Sequence, residues 1–554
     1  LPLSGYTKPM RFRRLVSRRG EERPAVRACL YTNGTILTME STLAAEAVLT
    51  VDGRIHRVGT LDEVRLDAPA GTKEVDLEHH VLLPAFIDPH SHITAYAHTL
   101  SLVQLEGAAG FDELLERIRA FREEKRLGPG DWISGFGYDH TALKEQAHPT
   151  RRLLDRAAPE NPVVIAHASG HMGVLNTAAL QALGITADTP DPDGGVIGRE
   201  EDGSPSGYLE ETAFTSHTAR IPQPTLEQLG RQLDAAQRIY LSHGITTVQD
   251  GLTKQPEWAI LSSMAQAGRL TADVVAYADM KDSRELFAGH PEYARGYRGR
   301  LRLGGYKIFL DGSPQGRTAW MTQPYENGED GYRGYPIYPD GEVEAFVRAA
   351  LEEGRQLLAH CNGDAAADQL IGAFERVLGG LHPVDIRPVM IHAQLIRRDQ
   401  LSALRSLGMI PSFFVAHTYY WGDVHIRNFG LARASAISPA ASALKEGLPF
   451  TFHQDTPVLP PDLLTAVGCA VTRTTRTGRV LGEEERLLPF DALRAVTVNA
   501  AYQYFEEDRK GSIREGKLAD FVLLDENPLT VEPGRIRDIR VLRTIKEGVT
   551  VYER

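Results

Sequence analysis

The sequence predicts an α/β protein built around a (β/α)8 barrel of the TIM type, with a small β-sandwich formed by both chain ends and an inserted α/β subdomain. Three observations lead to this prediction. The chain has 554 residues, which is more than one ordinary core can fill. Eight apolar runs alternate with helical patterns, as they do in a parallel sheet. Short alternating apolar runs occur near both ends of the chain.

The two ends of the chain are predicted to share one β domain. Over residues 28–84, short apolar runs are separated by turn residues such as Asp52-Gly53. The same texture returns over residues 508–554, in LADFVLLDE and VLRTIKEGVTVYE. We therefore expect residues 28–84 and 508–554 to form one β-sandwich. Residues 1–27, which include several closely spaced arginines, are expected to form a basic flexible arm.

The barrel domain is predicted over residues 85–507. Its eight strand-like runs are HVLLPAFID, GITTVQDG, ADVVAYAD, GGYKIFLDG, RQLLAH, RPVMIH, MIPSFF and PFTFHQD. The stretch from about residue 93 to about residue 240 is too long for a loop and has strand and helix signals of its own, such as NPVVIAHA and LNTAALQALG. We interpret it as a subdomain inserted over the barrel mouth.

Composition narrows the class of protein. The chain is 42% hydrophobic and 24% charged, which is typical of a globular protein. Its formal net charge of −12 argues against a nucleic-acid partner, and no apolar run approaches the roughly 18 residues of a membrane helix. Three widely spaced cysteines, Cys29, Cys361 and Cys469, are too few for a disulfide framework. We expect a cytoplasmic protein that acts on a small molecule, with a homodimer as one compatible assembly.

Candidate metal ligands occur at the ends of four predicted barrel strands. His90 and His92 follow the first run two residues apart, so both imidazoles can face the same side. His360 ends LLAH, His392 ends VMIH and Asp455 ends TFHQD. In a (β/α)8 barrel the carboxyl ends of all strands lie on one rim, where active sites form. The sequence therefore predicts a divalent metal site on this rim.

A lysine also interrupts one of the apolar runs. Lys307 lies within YKIFLDG, where an unpaired ammonium group would be costly to bury. The residues alone leave three interpretations open. Lys307 pairs with a carboxylate such as Asp455, or it points outward to solvent, or its neutral amine reacts with carbon dioxide to form a carbamate that can bridge two metals.

Five segments contain these residues: PAFIDPHSH, YKIFLDGS, LLAHCNGDAAAD, VMIHAQ and FHQDTPV. Together they resemble the amidohydrolase superfamily of metal-dependent hydrolases. Four further segments are similar to the branch that includes N-substituted formamide deformylases: SGHMGVLNTAAL, GGVIGREEDGSPSGYL, HGITTVQD and GKLADFVLLDENPLTV. The resemblance spans nearly the whole chain. It implies a (β/α) barrel, a β-sandwich from both chain ends and, as is usual in that superfamily, two zinc ions (Zn2+) per chain.

The resemblance also implies which residues bind each ion. His90 and His92 would bind the more buried zinc ion, and His360 and His392 would bind the second. Lys307 would bridge the two ions as a carbamate.

The resemblance further implies a mechanism of amide hydrolysis. Asp455 would complete the first zinc site, hold a metal-bound hydroxide, accept its proton and pass that proton to the leaving nitrogen. The alternatives are a deaminase or cyclic amidase of the same superfamily, or a non-catalytic regulatory protein on the same barrel. Lys307 favours the amide reaction, because deaminases of the superfamily generally use one metal without a bridging lysine.

Three residues are candidates for contact with the substrate. His171 in SGHMGVLN and His417 in AHTYYWGD lie on segments that we expect to cover the site, although a structural role fits each equally well. Trp421, which follows Tyr419 and Tyr420, suggests an aromatic or apolar pocket, and ordinary packing explains it about as well.

Overall fold

The computed structural model describes residues 27–222, 224–326, 328–379 and 385–554, so the predicted arm over residues 1–27 lies almost wholly outside the described residues. The β-strands within these ranges are β1 Ala28–Thr32, β2 Thr35–Leu37, β3 Ala44–Ala45, β4 Ala47–Val51, β5 Arg54–Gly59, β6 Lys73–Asp76, β7 Val81–Pro84, β8 Phe86–Ile87, β9 Val103–Gln104, β10 Ile133–Tyr138, β11 Val163–His167, β12 Met172–Leu175, β13 Gly195–Arg199, β14 Pro205–Glu211, β15 Ile245–Thr253, β16 Asp273–Asp279, β17 Leu301–Phe309, β18 Gln356–Cys361, β19 Val389–His392, β20 Ile410–Phe413, β21 Thr451–Phe452, β22 Phe521–Leu524, β23 Val541–Lys546 and β24 Val549–Glu553.

The α-helices of the same ranges are α1 Leu61–Leu66, α2 Ile93–Thr99, α3 Phe111–Glu124, α4 Arg151–Asp155, α5 Thr177–Leu183, α6 Thr212–Thr218, α7 Leu226–Ser242, α8 Gln255–Gln266, α9 Leu286–Gly289, α10 Pro291–Ala294, α11 Asp340–Glu352, α12 Asp364–Leu378, α13 Arg398–Ser406, α14 His417–Tyr420, α15 Gly422–Ser435, α16 Ala440–Lys445, α17 Leu463–Thr472, α18 Pro489–Arg494 and α19 Val498–Gln503. In the parts of the chain that the structure describes, no helix is both long enough and apolar enough to cross a membrane.

The central sheet has eight strands, β8 and β15 to β21, in chain order, and each neighbouring pair is parallel. Helices connect successive strands; α11, for example, joins β17 to β18. Ile87 of β8 and Ile410 of β20 lie in one hydrophobic cluster with Leu358 of β18. Strands that are far apart in the strand order therefore come together, which indicates that the sheet is curled. All eight predicted runs contribute to this sheet, and its curled parallel form is compatible with the predicted barrel.

The first predicted run divides between two sheets. HVLLPAFID was expected to form one barrel strand, but β7 pairs with β2 and β22 at the chain ends, and only β8 joins the central sheet. Pro84 has no amide hydrogen, so the ladder cannot continue unchanged through it. The chain passes from one sheet to the other immediately after this proline.

The chain ends form two further sheets. One has the order β5-β4-β1-β6, and the other has the order β24-β23-β22-β7-β2-β3, which combines strands from both ends. Tyr31 of the first sheet and Phe521 of the second lie in one hydrophobic cluster, with ring centroids 5.5 Å apart. Two sheets that share a core in this way are compatible with the predicted β-sandwich.

A fourth sheet lies in the stretch predicted as an insertion. Its order is β13-β14-β12-β11-β10-β9, so its strands fall between Val103 and Glu211. Strands β9, β10 and β11 are parallel to one another, and the remaining pairs are antiparallel. Helix α7, which follows this sheet, packs against α2 and β15, and so returns the chain to the central sheet.

Candidate metal centre

The predicted ligands meet at the carboxyl ends of the strands of the central sheet. His90 and His92 follow β8, and Asp455 follows β21, at the opposite end of the strand order. The two edge strands, β8 and β21, approach each other here: the His92 amide, which follows β8, donates a hydrogen bond of 2.8 Å to the Thr456 carbonyl, which follows β21. His360 lies in β18 and His392 ends β19, between these edges. The curl of the sheet therefore brings together side chains that are far apart in sequence.

The first group consists of His90, His92 and Asp455. The Nε2 atoms of His90 and His92 lie 3.3 and 3.5 Å from Asp455 Oδ1, and one ligand atom from each residue lies within 4.8 Å of the others. In a tetrahedral zinc site with metal–nitrogen distances of about 2.0–2.1 Å, ligand atoms lie about 3.3 Å apart. Asp455 Oδ1 is buried and has no hydrogen-bond partner. This orphaned oxygen and the spacing both fit one divalent metal.

The second group is the pair His360 and His392. His392 Nε2 lies 3.0 Å from His360 Nδ1, and the His392 ring lies 5.8 Å from the His90 ring, between centroids. Burial lowers the pKa of His392 well below the usual imidazole value and that of His360 to about 4, so both rings are neutral, as metal ligands must be. No third imidazole, thiol or carboxylate of the described residues completes this pair.

Lys307 lies beside the first group. Its side chain is only 1% exposed, and Nζ lies 3.2 Å from His90 Nε2. The ion pair with Asp455, one of the three interpretations left open by the sequence, is not formed, since no carboxylate oxygen of the described residues lies within 4.0 Å of Nζ. The outward orientation is also excluded by the burial. Burial lowers the pKa of Lys307 to about 7, although the nearby Asp455 opposes this shift.

Two of the candidate ligands have strained backbones. The backbone φ angle is 71° at His392 and 51° at Asp455, in a left-handed region that residues other than glycine rarely adopt. Such strain is retained where the surrounding structure over-determines the conformation, and it clusters at functional sites. Positive φ is also found at other non-glycine residues of the described chain, such as Asn33 and Arg300, so it accompanies the site here and does not identify it.

A buried glutamine orients His90. Gln249 of β15 places Oε1 2.6 Å from His90 Nδ1, and its Nε2 donates to the Pro89 carbonyl at 2.8 Å and to Tyr504 Oη at 3.0 Å. With its own amide fixed in this way, Gln249 Oε1 accepts a hydrogen bond from His90 Nδ1–H, which leaves His90 Nε2 free to bind a metal. This role of Gln249 was not predicted from the sequence; the available signal was a glutamine inside the apolar run GITTVQDG.

Gln249→Ala should weaken metal binding without removing a ligand. We expect metal affinity to fall roughly 10–100-fold, the usual effect of losing a residue that orients a ligand. Competition with a chromogenic chelator measures the change. Gln237→Ala is the matched control, because Gln237 is equally buried but accepts hydrogen bonds from the Thr271 and Ala272 amides instead. Equal affinities for the two variants would contradict the orienting role.

His453 is a second residue near the candidate ligands that was not predicted from the sequence. It lies two residues before Asp455 and is fully buried. Its Nε2 is 3.2 Å from His392 Nδ1, and its Nδ1 is 3.0 Å from Ser412 Oγ. His453 is therefore placed to hydrogen-bond His392 Nδ1 and to fix the orientation of the His392 ring. The available signal was the spacing His453-x-Asp455, which repeats the spacing of His90-x-His92.

The three predicted substrate contacts have different positions. His417 is buried and stacks on His425, and its ring centroid lies 4.5 Å from that of Trp421. Its ring also lies 4.6 Å from the Phe414 ring, which itself lies near His392. His171 is exposed, and its Nδ1 pairs with Glu211 Oε2 at 3.1 Å in the inserted sheet. His417 and Trp421 therefore both pack against Phe414, whose ring centroid lies 6.2 Å from that of His392. His171 makes no contact with the candidate metal ligands.

Comparison with known proteins agrees with this geometry. A family model described as the amidohydrolase family matches residues 73–552. The chain is 29% identical over 558 residues to an N-substituted formamide deformylase of Arthrobacter pascens, covering 96% of this chain and 99% of that protein.

Solved structures give a similar result. The chain resembles an uncharacterised metal-dependent hydrolase from Pyrococcus furiosus, with a TM-score of 0.73 and 26% identity over 91% of this chain and 100% of that one. A second such hydrolase, from Pyrococcus horikoshii OT3, has a TM-score of 0.73 and 25% identity over 92% of this chain and 99% of that one. Since the family match covers most of the chain and includes all the strand ends described above, this protein belongs to the amidohydrolase family.

Proposed function

We propose that this protein hydrolyses a carbon–nitrogen amide bond of a small molecule, of the N-acyl or N-formyl amine type, with two divalent metals bound per chain. The observation that supports the proposal most directly is the convergence of His90, His92 and Asp455 with the pair His360 and His392 at one edge of the sheet. The similarity to an N-substituted formamide deformylase suggests the amide class.

The group His90, His92 and Asp455 fits one divalent metal, the pair His360 and His392 offers two ligands for a second, and zinc suits these donor atoms. His90, His92 and Asp455 would hold one metal, and His360 and His392 would hold the other. When bound, divalent metals lower the pKa of a coordinated water from 15.7 toward about 7 and polarise a carbonyl oxygen. A site with these two properties is suited to the attack of water on an amide.

Lys307 supplies the missing shared ligand in this proposal. Its neutral amine would add to carbon dioxide: the bond between Nζ and carbon forms as one C=O π bond opens, and the nitrogen loses one proton to water, which leaves an anionic carbamate. Burial favours the neutral amine that this reaction needs, and no carboxylate of the described residues within 4.0 Å already neutralises Nζ as an ion-pair partner. The carbamate oxygens would also complete the pair His360 and His392.

Asp455 moves the proton in this proposal. Burial opposes its ionisation, but the imidazoles of His92, His392 and His90 hold the pKa of Asp455 well below its usual range, so it is a carboxylate at neutral pH. A carboxylate at the point where the strand ends meet can accept a proton from the attacking water and then donate it to the leaving nitrogen. His417 and Trp421 would face the substrate from the next loop.

Amine release from simple amides tests this proposal. We expect the protein to be inactive after dialysis against a chelator and to regain activity on addition of zinc, when it is assayed with matched N-formyl and N-acetyl amines for released amine. His90→Ala should fail to recover, because it lacks one ligand. Amide hydrolysis by metal-free protein would contradict the metal requirement. Ammonia release from cyclic amidines without amide hydrolysis would favour a deaminase instead, and a loaded protein inactive on all substrates would favour a regulatory role.

A further inference from the structure

A second cluster of histidines lies in the inserted sheet, away from the ligands described above. Strands β10 and β11 are parallel neighbours, with Tyr138 opposite His167. Asp139 and His140 directly follow β10, and His167 ends β11. Parallel neighbours end at the same edge of a sheet, so these three side chains leave the sheet side by side.

Their spacing is that of metal ligands. His140 Nδ1 lies 3.3 Å from His167 Nε2, and His167 Nε2 lies 3.6 Å from Asp139 Oδ1. One ligand atom from each of the three residues lies within 4.8 Å of the others. Ligand atoms of a tetrahedral site with metal–nitrogen distances of about 2.0–2.1 Å are about 3.3 Å apart, so little rearrangement is needed to bind an ion.

Neighbouring groups fix the three side chains. The Thr141 amide and hydroxyl donate to Asp139 Oδ1 at 2.9 and 2.7 Å and hold this carboxylate in place. The His140 ring stacks on His148 with 3.9 Å between ring centroids, and His148 Nδ1 is in turn 2.9 Å from Tyr138 Oη. A set of ligands that is held in position before binding loses less entropy when a metal arrives.

Ser169 can determine which nitrogen of His167 binds. Its hydroxyl oxygen lies 2.9 Å from His167 Nδ1, and its backbone amide donates to the same nitrogen at 3.0 Å. Metal binding at Nε2 requires the ring proton to be on Nδ1, and the hydroxyl oxygen can then accept a hydrogen bond from Nδ1–H. The amide must then give up its present hydrogen bond, a local cost that binding has to exceed.

We propose that Asp139, His140 and His167 bind one divalent metal, zinc by preference, at the carboxyl edge of the inserted sheet. Two imidazoles and one carboxylate match the ligands of open zinc sites, in which a fourth position is left for water or a ligand oxygen. Asp139 is exposed and His167 is 13% exposed, so an ion can reach the cluster from solvent. The ligands differ from those of the strand-end site, so each site can fill without the other.

Anomalous scattering locates the ion directly. Crystals of the full chain soaked in zinc chloride and measured on both sides of the zinc absorption edge should show a peak within about 2.3 Å of His140 Nδ1 and His167 Nε2. Peaks at the strand-end ligands in the same map would show that the crystals had taken up metal. A map with those peaks and none at the inserted cluster would overturn the proposal, and a peak at the cluster alone would support it while counting against the proposed function.

Stoichiometry gives a second test in solution. After equilibrium dialysis against zinc, His167→Gln and His140→Ala should each bind one equivalent fewer than the unaltered chain. His171→Ala is the control and should bind as much as the unaltered chain, because that neighbouring histidine pairs with Glu211 outside the cluster. Circular dichroism confirms that each variant is folded. Equal stoichiometry of all four proteins would show that the cluster binds no zinc.

Discussion

Lys307→Ala should lose bound metal and amide hydrolysis together. The side chain is buried beside His90, and no other ligand of the described residues completes the pair His360 and His392. Loss of the shared ligand removes several kcal/mol of transition-state stabilisation, so we expect kcat/KM to fall by about three powers of ten. Elemental analysis and amine release, measured on the same preparation, check the result.

Chemical rescue separates bridging from mere packing. A short carboxylate such as propionate, added in excess, should partly restore metal content and activity to Lys307→Ala, because it can occupy the space of the carbamate. Lys307→Met, which fills that space with a similar chain, should respond less. A Lys307→Ala protein that keeps both metals and full activity would exclude bridging. So would a fully loaded, active protein that shows no carbamate signal after exposure to 13C-labelled bicarbonate.

Formation of the carbamate should depend on pH in a defined direction. Burial lowers the pKa of Lys307 to about 7, so the reactive neutral amine dominates above that value and becomes scarce below it. Metal-free protein should therefore regain activity faster at pH 8 than at pH 6 when zinc and bicarbonate are supplied together.

Asp455→Asn, which replaces one carboxylate oxygen by an amino group, should cause a large loss of activity. The amide keeps the size of the carboxylate but can neither accept a proton nor bind a metal as an anion. Removing a general acid–base group costs typically about 10²–10⁴-fold in rate, and a weakened first metal site adds to this loss. Steady-state kinetics at saturating zinc measure the effect.

A nearby carboxylate provides the matched control for Asp455→Asn. Asp462 caps α17 by accepting a hydrogen bond of 3.1 Å from the Thr465 amide, and it belongs to neither ligand group. Asp462→Asn should keep activity near that of the unaltered protein, since asparagine also caps helices well. A similar loss in both variants would point to a general disturbance of this loop rather than to proton transfer.

The sequence predicted the candidate ligands at the strand ends far better than the residues of neighbouring strands that contact them. His360 and His392 could be found because each ends an apolar run, a local pattern. Gln249 is visible as a polar residue in an apolar run, but its role could not be predicted, because it contacts His90 across 159 residues and depends on which strands become neighbours. The division of HVLLPAFID between two sheets has the same origin, since partner strands decide it. Asp139 and His140 escaped notice because their partner, His167, belongs to another strand.

The way in which the chain ends meet has a consequence for synthesis on the ribosome. Leu82 of β7 faces Leu523 of β22, about 440 residues later, so β7 lacks one of its neighbours until those residues have been translated. At the typical rate of about 5–20 residues per second, that wait lasts tens of seconds. Throughout it, the edge of β7 offers unpaired backbone groups to other chains. Translation that stops before residue 521 would release a protein without β22, so the sheet that combines strands from both chain ends would be incomplete even if the metal ligands were all present.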